Sequence, residues 1–343
     1  MQRPTIQDIA RAAGVSKGAV SYALNGRPGV STETRARILS IAEEIGWVPS
    51  SAARALSSDR AGVVGLVAVR EPELIATEPY FIRMVAGVER TLAEHGVALL
   101  LTVVPDPARE LDIYRRWWGS RQVDGMLLFD MRVRDPRPAW LRASGAPAVI
   151  IGAQRAYRGI SATRVSYQDA MAQAVSHLVQ LGHRRLARVS GPRALEHVLR
   201  RERHFAEVTK ELLGEAQPQP QVETDYTARA GVQATRELLS RPKDQRPTAI
   251  IYDNDVMAAA SVSTLAGEGV RVPADLAVLA WDDSPLCELV HPAVTAFTHD
   301  VMAEASQAAD LLLTRIEHGP TPDRWLAAPR LTVRASTAGH LVP

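Results

Sequence analysis

Two spacings of apolar residues alternate along the chain, and the elements follow from them. Residues 5–46 carry the helical spacing alone. Ile6, Ile9, Ala10 and Ala13 fall on one face of a first short helix, with Thr5 as its cap and Asp8 three positions on as a shorter stand-in for the capping-box Glu. Gly14 supplies the permissive backbone of a tight turn. Ser16 caps a second short helix, where Ala19, Val20 and Ala23 face inward, and Asn25-Gly26-Arg27-Pro28-Gly29 reads as loop. Ser31 opens a third helix with Ile38, Ile41, Ala42 and Ile45 on its buried stripe and Gly46 at its end. The next stretch, PSSAARALSSDR over 49–60, is small, polar and basic, with Leu56 its single large apolar side chain. That is the composition of a linker, or of a helix that forms only when docked.

From Gly62 the texture changes. VVGLVAV, VALLLTVV, GMLLF and PAVIIGA read as buried strands separated by helices, one of them running from about Tyr80 to His95. After a junction near residue 160 the pattern repeats, with helices at 168–181, 195–213, 228–240 and 255–267 and strands at LARVSG, TAIIYD and LAVLAW. Such alternation argues for parallel sheets covered by helices on both faces, and two such halves form a bilobed body with a cleft. The expected fold class is therefore an all-α helix-turn-helix headpiece plus an α/β bilobed core of two doubly wound parallel sheets.

Composition narrows the function classes. At 343 residues the chain suggests two or three domains, and 46% hydrophobic with 23% charged residues is ordinary for a globular protein. The net charge of +2 is unevenly spread: residues 1–60 hold eight Lys or Arg against five acids, which leaves −1 for the remainder. A basic head on a nearly neutral body suits nucleic acid. The one cysteine, Cys287, leaves no disulfide framework or thiolate metal cluster to expect. The N-terminus lacks the apolar run of a signal peptide, and no segment reaches ~18 uninterrupted apolar residues, so the chain reads as cytoplasmic, with no membrane partner. Nucleotide-binding, zincin and hydrolase motifs are absent, and GEGVRV at Gly267 carries Val272 where a dinucleotide fingerprint needs glycine. His183, in LGHRR, reads as a turn residue. Asp282 and Asp283, adjacent on an extended segment, point in opposite directions and make a poor catalytic dyad. No catalytic residue, metal or cofactor is expected.

A short helix, a glycine-bearing turn and a second short helix match the helix-turn-helix unit. Its second helix begins at Ser16, Lys17 and Gly18, with Tyr22 one turn further on. Lys17 can donate to guanine O6 and N7, and Tyr22 offers a hydroxyl and a ring edge. Ser16, Ser21 and Asn25 suit phosphate oxygens. The alternative on these residues alone is a three-helix bundle that binds no DNA.

TIQDIARAAGVSKGAVSYALNGRPGVSTETRARILSIAEEIGWVPSSAARAL closely resembles the N-terminal headpiece of the lac repressor (LacI/GalR) family of bacterial transcription regulators. EPYFIRMVAGVERTLAEHG is similar to the family's first-lobe helix, HLVQLGHRRLARVSGP to its second-lobe helix and strand, TAIIYDNDVMAAASVSTLAGEGVRVPADLAVLAWDDSPL to its effector-binding core, and LTVRAST to its final strand. The resemblance implies a headpiece at 1–48, a hinge at 49–60 and a core at 61–343, whose first lobe takes about 61–160 and 292–325 and whose second takes about 161–291 and 326–340. It implies double-stranded DNA with a pseudo-palindromic operator as partner, contacted by Thr5, Ser16, Lys17, Gly18, Ser21, Tyr22, Asn25, Ser31, Arg54 and Leu56, the last as a minor-groove wedge. Gly18 departs from the family, because it brings no side chain to the DNA.

The resemblance also implies a small, sugar-like effector, held by Arg201, Asn254 and Asp282. Tyr80 and Phe81 stand where ring-stacking residues often sit, Asp130 ends a neighbouring strand, and Trp281 takes a position of the effector site at which core packing is the favoured reading. Gly152, Ser166 and His204 depart from the family's usual Asp, Asp and Gly, which removes hydroxyl acceptors. No heptad-rich tail follows Val333, so a homodimer is expected over a tetramer. The function expected is a DNA-binding transcriptional regulator, a repressor, controlled by that effector. The alternatives are a solute-binding protein with no role in gene control or, within the family, a corepressor-dependent regulator.

Overall fold

The computed structural model describes residues 4–47, 60–165, 168–214 and 219–338. In the headpiece the local chemistry dictates each helix end. The Thr5 hydroxyl accepts from the Asp8 N–H while the Asp8 carboxylate accepts from the Thr5 N–H at 2.9 Å, a complete capping box for the helix Ile6–Ala13. Gly14 closes that helix at φ 65°, a left-handed conformation that glycine adopts without cost. Ser16 and Ser31 cap Lys17–Leu24 and Thr32–Glu44 in the same way, each accepting from the N–H three residues on. Ile9, Val20 and Ile38, fully buried, pin the three helices together.

The core is two six-stranded sheets. The first comprises β1 (Val63–Val69), β2 (Ala98–Val104), β3 (Gly125–Leu128), β4 (Ala148–Ile150), β5 (Ser161–Arg164) and β11 (Arg324–Trp325), in the order β11-β5-β4-β3-β1-β2. The second comprises β6 (Leu186–Ser190), β7 (Gln221–Glu223), β8 (Ala249–Tyr252), β9 (Ala277–Ala280), β10 (Thr295–Thr298) and β12 (Arg330–Thr332), in the order β12-β10-β9-β8-β6-β7. All pairings are parallel except β10 with β12, which is antiparallel. That one edge strand departs from the all-parallel expectation, because the chain returns to the second sheet by a short connection from β11 instead of a helical crossover.

Helices cover both faces of each sheet. Pro79–Glu94 and Val301–His318 pack on one face of the first sheet, and Pro107–Gly119 and Arg137–Ser144 lie on the other. In the second lobe Ala228–Leu239 and Asp255–Gly267 oppose Gln168–Gln180 and Glu196–Leu213. The chain passes between lobes after β5, after β10 and after β11. The first two passages fall a few residues later than the expected 160 and 292: β5 pairs with β4 and β10 pairs with β9, although neither has a long apolar run to announce it.

Gly87 allows the closest helix approach in the first lobe. A Cβ on it would lie 2.2 Å from the Met302 carbonyl oxygen on the neighbouring helix. Gly87→Ala is expected to push these helices apart and cost about 1–3 kcal/mol, a typical overpacking penalty. A urea denaturation midpoint unchanged from the parent protein would refute that packing.

Candidate functional site

In both sheets the second strand lies on one side of the first and the third lies on the other, so β1/β3 and β6/β8 are topological switch points. Ligands of open parallel sheets bind beyond the strand carboxyl ends at such points. A cleft lies there, a space of ≈ 750 Å³ including its open mouth. Arg70 follows β1, Asp130 follows β3, Gly152 follows β4, Asp253 and Asn254 follow β8, Asp282 follows β9 and His299 follows β10, and all of them line it. Glu78, Tyr80, Gln154, Glu196, His197, Arg201 and Tyr226 complete its polar wall.

The first lobe's side is built on Arg70. Its guanidinium bridges Glu78 at 2.8 Å and Asp130 at 2.5 Å and faces the Phe129 ring at 5.3 Å. Burial opposes ionisation of Asp130, but the Arg70 charge overcomes it and holds the carboxyl below its usual range. Glu78 moves the other way: burial raises its pKa, against the pull of Arg70 and with the help of the Asp130 and Asp282 charges. Asp130 adopts φ 48°, a strained conformation for a non-glycine residue, and the loop around it is held from beneath. Buried Arg137 donates to the Phe129 and Asp130 carbonyls and pairs with Glu110 at 2.5 Å and Asp135 at 2.6 Å.

The second lobe's side is built on Asp253. Arg188 donates to both of its carboxylate oxygens, at 2.8 and 2.5 Å, with both side chains fully buried. Arg201 donates to the Asp253 carbonyl at 3.2 Å and lies over the Trp281 ring at 4.3 Å. His197 meets the Tyr226 hydroxyl at 2.9 Å, and burial followed by the Arg201 charge pushes its pKa down to about 4, so it is neutral at pH 7. Tyr226, at φ 71°, is a second strained residue, and its ring fills the space a Cβ on Gly191 would occupy. The lobes also meet at the rim. The Glu196 N–H donates to the Met131 carbonyl at 2.8 Å, the Val133 N–H to the Ala194 carbonyl at 2.9 Å, and the Glu196 carboxylate accepts from the Tyr157 hydroxyl at 2.5 Å.

Of the seven residues expected to hold an effector, Tyr80, Asp130, Arg201, Asn254 and Asp282 line the cleft together. Phe81 does not: it is buried in the first lobe's core against Phe129, because the helix starting at Pro79 turns it inward while Tyr80 faces the cleft. Trp281 is also buried, packed against Phe297, and serves as the platform under Arg201. The Asn254 amide is engaged as a helix cap, accepting from the Met257 N–H at 2.9 Å and donating to the Tyr226 carbonyl at 3.1 Å. Gly152 faces the cleft at φ 66°, a conformation that favours glycine. His204 lies outside the lining, and Ser166 lies outside the described residues. Asp283 points away from Asp282 and pairs with Arg334 at 2.9 Å. Sequence reasoning missed Arg70, Glu78, His197, Tyr226, Asp253 and His299. The signal for Arg70 and Asp253 was available, since each is the first polar residue past the carboxyl end of a strand announced by its apolar run, whereas His299 follows β10, which has no such run.

In the headpiece, Lys17, Gly18, Tyr22 and Asn25 are exposed along the second helix. The Thr5 and Ser31 hydroxyls donate within the chain, to Asp8 at 2.6 Å and Thr34 at 2.9 Å, and Ser16 accepts at its own helix start. The Asn25 amide donates to the Ser21 carbonyl at 2.9 Å. Arg54 and Leu56 lie outside the described residues. Among the described residues no group of His, Cys, Asp and Glu is arranged to hold a metal, and no helix is long and apolar enough to cross a membrane.

His299 gives the cleft a pH signature. Burial alone would lower its pKa, but hydrogen bonds and charges from Asp282 and Glu304 outweigh burial and raise it to about 9. A group raised on folding contributes stability that is complete below its unfolded pKa near 6.5 and is lost as pH rises through 9. The loss is expected to be on the order of 3 kcal/mol. His299→Gln should flatten the pH dependence of the urea midpoint between those values, and an unaltered dependence would remove this assignment.

Comparison with known proteins places this geometry. Residues 5–50 match the model of bacterial regulatory proteins of the lacI family, and residues 175–337 match a periplasmic binding protein-like domain. The chain is 32% identical over 341 residues to the HTH-type transcriptional regulator CelR of Thermobifida fusca, covering 98% of each. It is 29% identical over 324 residues to catabolite control protein A of Priestia megaterium, covering 93% of this chain and 94% of that one. A solved complex of transcriptional regulator CelR with cellobiose superposes with a TM-score of 0.72 at 30% identity, over 97% of this chain and all of the other. The lac repressor dimer bound to its operator shares the fold, with a TM-score of 0.83 at 22% identity over 98% of this chain and all of that one. The cleft between two parallel-sheet lobes, the helix-turn-helix ahead of it and full-length identity agree: this chain belongs to the lacI family of bacterial regulatory proteins, DNA-binding regulators of transcription and not enzymes.

Proposed function

We propose that this regulator acts in the cytoplasm as a homodimeric repressor, whose two headpieces read a pseudo-palindromic operator and whose affinity changes when a small sugar-like effector closes the cleft. One observation carries the reading: an exposed second helix, bearing Lys17 and Tyr22, is joined in one chain to a cleft where polar side chains from two lobes converge. The solved complex of a 30% identical relative contains cellobiose, which supports a saccharide as the class of ligand. Lys17 and Tyr22 supply base contacts; Thr5, Ser16, Ser21, Asn25 and Ser31 supply phosphate contacts through hydroxyls, amides and helix N-termini. Arg54 and Leu56 act at the operator centre, Leu56 as the wedge that unstacks a base step.

A single helix supports coupling between the two sites. Val301–His318 starts beside the cleft, where Glu304 meets His299 at 2.9 Å. It ends beside the core's entry point, where Arg60 donates to the Ile316 carbonyl at 3.4 Å and faces Glu317 at 3.7 Å. Its length, about 27 Å at the α-helical rise, spans the first lobe. Movement at the lobe passages therefore displaces the segment that leads to the DNA, and the effector acts through its different affinity for the two arrangements.

Asp282→Ala and Arg201→Ala are expected to abolish the effector response in a gel-shift titration while leaving effector-free operator binding nearly intact. Normal responses in both would mean the cleft is misassigned. Leu56→Ala should weaken specific binding far more than non-specific binding at one fixed salt concentration. Equal losses on the two DNAs would exclude the wedge.

A further inference from the structure

The sign of the charge in the cleft decides what kind of saccharide it admits. Each of its cations meets a carboxylate of this chain. Arg70 lies between Glu78 and Asp130. Arg201 and Arg188 share Asp253. His299 faces Glu304 at 2.9 Å and Asp282 at 3.7 Å. At the rim, Arg155 pairs with Glu196 at 3.0 Å. Taken together, six carboxylates (Glu78, Asp130, Asp253, Asp282, Glu304 and Glu196) face five cations (Arg70, Arg188, Arg201, His299 and Arg155), so the cleft carries no surplus of positive charge. Burial raises the pKa of Glu78, and the Asp130 and Asp282 charges add to that rise. Hydrogen-bonding capacity is skewed toward acceptors. Carboxylates are pure acceptors, while the Asn254 amide and the Gln154 amide already donate within the chain.

We propose that the cleft selects an uncharged, hydroxyl-rich saccharide and rejects sugar phosphates and uronic acids, a specificity that rests on the sugar-effector reading above. Hydroxyl groups bring donors to an acceptor-rich wall. A phosphate or carboxylate brings only acceptors and a charge of the wrong sign. To bind it, Arg70 would have to leave Glu78 and Asp130 as unpaired anions in a site shielded from water, and such desolvated charge is costly. Arg201 is constrained likewise, since its withdrawal would break its contacts with Asp253 and with the Trp281 face.

Isothermal titration of the full chain with matched sets tests this: glucose, cellobiose and maltose, each beside its 6-phosphate and its uronic acid. At least one neutral sugar should bind, and its phosphate and uronate should bind about 100-fold more weakly or not at all. Glu78→Gln, which removes one carboxylate from Arg70, should narrow the ratio of neutral to anionic sugar affinity about tenfold. An anionic sugar that binds as tightly as its neutral parent would overturn the proposal and leave the sugar reading standing. An unchanged ratio in Glu78→Gln would also count against it. Silence from every sugar, charged or not, would overturn the sugar reading and this specificity together.

Discussion

Asp253 ends a central strand of the second sheet with almost no exposure to solvent, held between two guanidinium groups. Removing either member of so buried a pair leaves the other uncompensated, at a cost of about 3–5 kcal/mol. The Arg188 pair ties β6 to β8, and Arg188 also donates to the Val198 carbonyl, which locks the helix Glu196–Leu213 onto the sheet. Arg201, on that helix, is thereby fixed over Trp281 at the cleft floor. The first lobe repeats the device with Arg137, which clamps the loop carrying Asp130 through Glu110 and Asp135. Both walls of the cleft are therefore braced on their own lobes, and the three chain passages and the rim contacts join one lobe to the other.

The cost of this arrangement is visible in the backbone. Asp130 and Tyr226 hold left-handed conformations that non-glycine residues rarely adopt, one on each side of the cleft. Each carries a group that the site uses, the carboxylate that meets Arg70 and the hydroxyl that meets His197. The ion pairs of the cleft have a second consequence. On the proposed specificity they engage its charges with one another, so a neutral saccharide gains its binding energy from hydroxyl contacts.

Much of the fold was legible because its signals are local. The capping residues Thr5, Ser16 and Ser31, the glycine turn at Gly14 and the long apolar runs of β1, β2 and β8 each announce their element by themselves. Short strands such as β5 and β11 carry no such run and exist only because a neighbouring strand offers its edge. The candidate site divides in the same way. Arg201, Asn254 and Asp282 came from resemblance, and Asp130 from its place past a strand end. Phe81 was misplaced because one step of helical rotation separates a cleft-facing ring from a core ring, and spacing alone does not fix that phase. His197 and Glu78 were missed because their importance comes from partners distant in sequence, Tyr226 and Arg70.

The central claim is that one chain reads DNA at one end and a saccharide at the other, and footprinting tests both at once. The full chain would be titrated onto the DNA upstream of its own gene and neighbouring genes, with and without neutral saccharides. The account predicts a protected pseudo-palindrome whose occupancy changes with at least one of them. Protection of a pseudo-palindrome that no saccharide alters, or protection without sequence preference, would contradict it.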